Sequence, residues 1–296
     1  MTIIIVRGEY SWKVYMLAWI FWDPSSEFLI VPFINIPITW YGLLFAFGFW
    51  IGFHLFTYML KNKLGPKDAN IFAERLLLYV IIGTIVGARL GHIFFYEHPM
   101  EYLSNPISIL KTWEGGLASH GAVIAIVLAV FLFSWRIRKE YPDFTFLKLL
   151  DYLSIPAMLA STMIRIGNFF NQEILGTSTE KPWGIIFGHP ADGGIITPRH
   201  PAQLYEAAFY FILFIFLLSL WSRKKDSLAP GRLAGITLVS AFLFRFTIEF
   251  IKTEQSAWFD QPNGPLLMGQ ILSLPIVAIG LFLLIKKGAA PSGTVP

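Results

Sequence analysis

No cysteine occurs among the 296 residues, which excludes disulfides, thiolate metal sites and a cysteine nucleophile. Any thiol chemistry must therefore use a thiol carried by another molecule. Charge is also scarce: 14% of the residues are charged against 55% hydrophobic, with a mean hydropathy of +0.59. That balance lies well outside the soluble range and identifies a membrane protein. A large soluble domain is excluded as well, because seven apolar stretches fill most of the chain, at roughly 38–60, 72–95, 117–136, 146–166, 202–222, 233–252 and 266–285. Each approximates the about 20 residues that a membrane helix needs. They are too long for barrel strands, and a bilayer leaves no water for unpaired backbone groups, so the expected fold is an all-α integral membrane protein with seven transmembrane helices.

The few cations are clustered. Lys61, Lys63 and Lys67, then Arg136, Arg138 and Lys139, then Arg223, Lys224 and Lys225, then Lys286 and Lys287 follow the first, third, fifth and seventh stretches. They share one side, and an excess of basic residues marks the cytoplasmic side. The N-terminus is thus expected outside and the C-terminus inside. The net charge of +4 serves topology and contact with membrane lipids, and no nucleic-acid partner is expected.

The start does not read as a cleavable signal peptide, because "VYMLAWIFW" is short, is followed by Asp23 and Glu27, and lacks a small-residue cleavage site. Residues 1–37 are read as an outer-face interfacial segment, as a helix or re-entrant piece. Residues 38–287 form the seven-helix body, and 288–296 a cytoplasmic tail. Two longer outer connections interrupt the body. One, at about 96–116, mixes aromatic residues with prolines as an interfacial arm would. The other, at about 174–200, is rich in Gly and Pro with alternating apolar residues and reads as a small outer cap or head. No internal repeat is evident, which argues against an inverted-repeat transporter.

Against this apolar background the chain places Arg89, His92, His120, Asp151, Arg165, Glu206, Arg245 and Glu249 within or at the edges of its apolar stretches. Each costs roughly 2.5–3.5 kcal/mol at the bilayer centre, so such residues face the bundle interior and mark function. Structural readings stand beside functional ones. Arg245 and Glu249, four apart, share a helix face and can form a buried ion pair. Arg89 can fix packing through carbonyl or headgroup contacts. Asp151 reads as structural, and Glu206 as either a structural carboxylate or a site. Gly115, Gly116 and Gly121 allow close backbone approach around His120. The most specific local signal is "RIGNFFNQEILG", in which Arg165 and Asn168 share a face and Asn171 and Glu173 follow where the helix ends. A guanidinium with nearby amides binds phosphate well. The residues thus point to an anionic phospholipid on the outer leaflet, and a channel, a flippase and a transferase all remain open at this point.

Seven blocks, "ITWYGLLFAFGFWIG", "GARLGHIFFYE", "WEGGLASHGA", "RIGNFFNQEILG", "RHPAQLYEA", "RFTIEF" and "LLMGQILSLP", occur in an order that resembles the bacterial phosphatidylglycerol:prolipoprotein diacylglyceryl transferases. The resemblance covers nearly all of the chain from about residue 38. It implies transfer of the diacylglyceryl group of phosphatidylglycerol to the lipobox cysteine of a preprolipoprotein signal peptide, with a thioether formed and glycerol phosphate released. A phospholipid or anion transporter using the same arginines is the alternative. The implied fold has seven helices with outer arms and a small head, in the bacterial inner membrane, with the site toward the periplasmic side.

By motif position the resemblance implies catalytic roles for His120, Arg165 and Arg245. It implies substrate binding by Tyr41, Asn168, Glu173 and Glu249, to which Arg89 and Glu206 are added as candidates, with Gly115, Gly116, Gly121, Asn171 and Gly176 shaping the site. No metal and no cofactor are expected, the phospholipid being a substrate. Two departures enlarge side chains near the site: Ile164 and Ala122 stand where the family usually has glycine. A thiol of pKa about 8.5 needs a base, a role that fits His120. Arg165 and Arg245 would neutralise the leaving phosphate, with Glu249 holding Arg245, and Glu173 with Asn168 holding Arg165.

Overall fold

A computed structural model describes residues 4–7, 12–15, 19–32, 36–96, 102, 108–109, 119–253 and 266–286. Among them the protein is predominantly helical, with short strands at the N-terminus and between the helices. The strands are β1 (Ile4–Arg7), β2 (Trp12–Tyr15), β3 (Ile20–Trp22), β4 (Glu27–Val31) and β5 (Ile36–Thr39), then β6 (Ile185–Phe187) and β7 (Pro198–Arg199). The helices are α1 (Trp40–Tyr96), α2 (Ser119–Ile137), α3 (Phe146–Phe170), α4 (Ala202–Lys224), α5 (Arg232–Ile248) and α6 (Met268–Ile285).

Four segments are long and apolar enough to cross a bilayer: Trp40–Phe94, Phe146–Phe170, Ala202–Lys224 and Arg232–Ile251. Gly121–Ile137 and Gly269–Ile285 are shorter apolar helices. The first segment is two helices joined end to end. Gly65 has φ 76° and ψ 164°, outside helical space and open to glycine alone, and Pro66 then starts the second arm. The break falls inside the first lysine cluster, where the sequence separates its first two apolar stretches.

The chain divides into two compact units, Phe53–Leu153 and Met1–Gly52 with Ser154–Pro296. In the first unit the second arm of α1 meets α2 through small residues. A Cβ on Gly83 would touch the Ala125 carbonyl at 3.1 Å, and one on Gly121 would collide with the Gly87 carbonyl and lie 2.7 Å from the Gly91 Cα. Glycines at intervals of four thus let two backbones touch, the means by which helices associate in lipid. Phe72 anchors an aromatic cluster in the same unit, edge-on to Phe133 at 5.2 Å and to Tyr141 at 5.2 Å.

In the second unit, the start of α1, the end of α3, the start of α4, the end of α5 and the start of α6 meet at one end. Trp40 stacks on Phe170 at 4.9 Å, the Thr177 amide donates to the Ile251 carbonyl, and Gln270 Nε2 donates to the Phe246 carbonyl. A small head covers that end. β3 pairs in parallel with β6, which pairs antiparallel with β7, over a cluster of Phe169, Leu175, Ile185, Phe187, Trp22 and Leu204. β4 and β5 form an antiparallel hairpin that runs directly into α1. Outward positions on the helices stay apolar, with Ile212, Ile215 and Phe216 on α4 and Leu272, Ile279 and Phe282 on α6 exposed. Such belts suit a lipid surround and would be costly in water.

Two expectations are corrected. The N-terminal residues form strands where an interfacial helix or re-entrant piece was expected, because Ile20–Trp22 finds a partner in Ile185–Phe187 and tertiary pairing overrides local preference. The fold is for the same reason not purely all-α. Of the expected arm at about 96–116, only Tyr96, Tyr102, Ser108 and Ile109 are among the described residues.

Candidate active site

The signature stretch ends α3 in a strained turn. Gln172 and Ile174 have φ of 51° and 58°, and a β-branched residue in the left-handed region is a genuine outlier of the kind found at functional sites. Between them Glu173 is over-determined. Its Oε1 accepts from Asn168 Nδ2 at 2.8 Å and from Asn171 Nδ2 at 3.1 Å. Its carbonyl accepts from Gln203 Nε2 at 2.6 Å, and its amide donates to the Asn168 carbonyl. Asn168 passes this order on, since its Oδ1 accepts from Arg165 Nη1 at 2.9 Å.

Arg165 is fixed from a second side. Its Nε lies 3.1 Å from Glu206 Oε2, and Lys252 Nζ lies 3.0 Å from Glu206 Oε1. Glu206 is 0% exposed, and each of its oxygens faces a cation, the pairing a buried carboxylate requires. Tyr210, one turn beyond Glu206, lies within electrostatic reach of Arg165. Tyr41 at the start of α1 lies within Coulombic reach of Glu173 and Arg165. It gets there because a Cβ on Gly167 would be 2.8 Å from its ring, so only glycine admits the approach. The expected group of Tyr41, Arg165, Asn168, Asn171, Glu173 and Glu206 is thus brought together.

Gly176 forms a bridge with Lys252 and its amide donates to the His200 carbonyl, with which a Cβ would collide. Glu249 does not hold Arg245 as expected. Its Oε2 lies 3.9 Å from Lys252 Nζ, while the Arg245 guanidinium makes no hydrogen bond or ion pair among the described residues. Arg245 lies within Coulombic reach of Lys252 and Tyr210 and follows Phe244, whose ring stacks on Phe209 at 4.0 Å. Arg89, in the other unit, is buried and donates to the carbonyls of Ser108 and Ile109 at 2.7 and 3.0 Å, with the Tyr102 ring 5.7 Å away. His120 lies in the first turn of α2, but its side chain is outside the described residues, as are Gly115 and Gly116.

Sequence reasoning passed over Lys252 and Gln203. Gln203 had a signal, three residues before Glu206 on the same face of α4, whereas Lys252, three after Glu249, lies on extended backbone where helical spacing does not place it. It also passed over a latch on the head. Asp23 Oδ1 lies 2.6 Å from His189 Nδ1 and accepts from Gln172 Nε2 at 3.1 Å. These hydrogen bonds from His189 and Gln172 pull the Asp23 carboxyl below its usual value. Gln172 Oε1 in turn accepts from the His189 amide. Next to this latch a cavity of about 330 Å³ is lined by Ser25, Ser26, Glu27, Asn171, Gln172 and His189.

Chemically, the arrangement aligns one guanidinium rigidly, leaves a second with no ion pair among the described residues, and balances a buried carboxylate between two cations. A phosphate group fits that second guanidinium. The sequence model described as prolipoprotein diacylglyceryl transferase matches residues 29–286. Among curated relatives, the phosphatidylglycerol–prolipoprotein diacylglyceryl transferase of Tolumonas auensis is 43% identical over 90% of this chain and 96% of its own. That of Chloroherpeton thalassium is 41% identical over 91% and 95%, and that of Protochlamydia amoebophila 32% identical over 92% and 96%.

Proposed function

The chain belongs to the prolipoprotein diacylglyceryl transferase family, and from that premise we propose that it transfers the diacylglyceryl group of phosphatidylglycerol to a cysteine thiol of a prolipoprotein, the first step of lipoprotein maturation. It is a transferase and a multi-pass membrane protein. The observation that carries the reading is the buried network around Glu206, which aligns Arg165 while Arg245 makes no ion pair among the described residues.

In the proposed reaction the lipobox thiol gives up its proton and its sulfur attacks the glycerol carbon that bears the phosphate. The carbon–oxygen bond to phosphate breaks, a thioether forms, and glycerol phosphate leaves with the bonding electrons. His120 takes the thiol proton, since an imidazole of ordinary pKa about 6.5 is a competent acceptor at neutral pH. Arg165 and Arg245 neutralise the departing phosphate. Tyr41, Asn168, Glu173 and Glu249 position the cations and the lipid, the buried Glu206 faces Arg165 without reaching the lipid, and Arg89 braces the arm. The glycines at 115, 116, 121 and 176 shape the backbone around them. The chemistry calls on neither metal nor cofactor.

In topology, the two arms of α1 count separately and make seven spans in a body of residues 38–287, with the N-terminus outside, residues 288–296 in the cytoplasm and the site facing the outer side of the bacterial inner membrane. The basic clusters at Lys61–Lys67, Arg136–Lys139, Arg223–Lys225 and Lys286–Lys287 support that orientation. Both substrates are amphiphiles that arrive through lipid.

The test incubates purified protein with phosphatidylglycerol and a lipobox peptide and weighs the peptide by mass spectrometry. The expected result is a gain of one diacylglyceryl mass that vanishes when the peptide cysteine is replaced by serine. Folded protein that leaves the peptide mass unchanged overturns the reading.

A further inference from the structure

Glu206 is a buried carboxylate in direct contact with the guanidinium meant for the phosphate, and that poses an electrostatic problem. An Arg165–Glu206 pair on its own is neutral. A neutral pair in a low-dielectric site has little attraction for an anionic headgroup, because the carboxylate repels nearly as strongly as the guanidinium attracts. Yet Glu206 is what orients Arg165 Nε, so the alignment and the charge of Arg165 work against each other.

Lys252 resolves the conflict. It is buried, 7% exposed, and its Nζ is 3.0 Å from the Glu206 oxygen that Arg165 does not use. By formal charge Arg165, Glu206 and Lys252 sum to one positive, so the carboxylate can hold Arg165 without cancelling it. The backbone fixes the lysine in this role. Lys252 follows the last turn of α5, its bridge with Gly176 ties it to the signature stretch, and its amide donates to the Glu249 carbonyl. Glu249 is farther away, 3.9 Å from Nζ, so Glu206 is the closer partner. Neither the family reading nor the motif blocks assign this residue a part.

Resting on the transferase reading, we propose that Lys252 is a positioning residue that neutralises Glu206 and so preserves the positive charge of Arg165 for the phosphate of the lipid substrate. It acts through Glu206 and does not itself touch the lipid.

The role makes a prediction that mere packing does not. In Lys252→Met, Glu206 is left to Arg165 alone, and the KM for phosphatidylglycerol rises about tenfold while the KM for the peptide is unchanged. Replacing Glu206 as well, in Lys252→Met/Glu206→Gln, removes the negative charge that made the lysine necessary, while the amide oxygen still faces Arg165 Nε. The KM for phosphatidylglycerol then returns to within about threefold of the parent protein. The double variant loses both buried charges together, which proteins tolerate better than losing one, so it decides the matter even if the single variant does not fold. A double variant as impaired as the single or worse overturns the proposal, because Lys252 then contacts the lipid itself or only supports the fold. A single variant with unaltered KM for the lipid also overturns it. Failure of the transferase reading is separate, since the parent protein would then modify no peptide at all.

Discussion

Glu249 faces Lys252 and not Arg245, with its Oε2 3.9 Å from the lysine Nζ, although Arg245 and Glu249 stand at the spacing that favours an ion pair along a helix. Glu249 keeps helical backbone, its amide donating to the Arg245 carbonyl, while Lys252 after the 3-10 turn Glu249–Ile251 is extended. A Cβ on Gly269 of α6 would collide with the Glu249 carboxylate, so glycine makes room for it.

The freedom of Arg245 yields the first prediction. Arg245→Ala lowers kcat by about 100-fold, the scale of removing one donor that stabilises developing negative charge. Its melting temperature stays close to that of the parent, because the guanidinium has no hydrogen bond or ion pair among the described residues to lose. Steady-state kinetics and a thermal melt on the same preparation check both halves. A large drop in melting temperature would show that Arg245 is structural.

Arg165 behaves differently because two of its nitrogens are committed in different directions, Nε toward Glu206 and Nη1 toward Asn168. Arg165→Lys keeps the charge and loses the fork, so an ammonium can satisfy one partner only. Most activity is lost while the protein remains folded. Near-normal turnover in that variant, measured by the peptide mass assay, would remove the bidentate alignment from the mechanism.

Much of this was legible in the sequence. The apolar stretches are long, the lysine clusters mark their ends, and Gly65–Pro66 announces the break in α1. Arg165, Asn168 and Glu173 stood out because polar groups in a membrane chain are costly and few. What escaped notice did so for physical reasons. Lys252 sits at a helix end, where a lysine ordinarily reaches for the interface, and nothing local says that it turns inward to Glu206. The strand at Ile20–Trp22 exists only through its pairing with Ile185–Phe187, a contact between residues far apart in the chain. Local pattern reads neither charge pairing between helices nor strand pairing across most of the chain.

The latch on the head gives a pH prediction. Asp23 titrates below its usual value because His189 and Gln172 hydrogen-bond its carboxylate. A carboxyl with a depressed folded pKa contributes stability above its unfolded pKa of about 3.9 and loses it as pH falls through the folded value. The head is therefore expected to weaken in acid, below about pH 4. In Asp23→Asn that acid dependence is reduced and stability at neutral pH is slightly lower. The effect is small, as His189 is 84% exposed and solvent screens the pair. Melting temperatures of both proteins across the acid range check it, and parallel curves for the two would exclude Asp23 as the titrating group.

Gly176 admits no side chain. A Cβ there would collide with the carbonyl of His200, which also accepts from the Gly176 amide, so the obstruction is backbone and cannot swing away. Gly176→Ala is expected to cost about 1–3 kcal/mol and to lower activity, because the same residue bridges Lys252. If the variant melts with the parent and keeps its rate, the close approach at His200 has no mechanical importance.

The strained turn supplies the most stringent test of how the site is held. Gln203 is 0% exposed, and its Nε2 donates to the Glu173 carbonyl at 2.6 Å, between two residues in left-handed backbone. Its Oε1 is buried without a hydrogen-bond partner among the described residues, so replacing the amide loses one bond among them. Gln203→Leu keeps the approximate volume and leaves the Glu173 carbonyl unsatisfied, at a cost of about 1–3 kcal/mol. With that anchor gone, Gln172 and Ile174 are free to relax, and Glu173 loosens its hold on Asn168 and through it on Arg165. Activity should therefore fall by more than the folded fraction falls. A rate loss that simply tracks the loss of folded protein would show that Gln203 supports the fold and has no part in aligning Arg165.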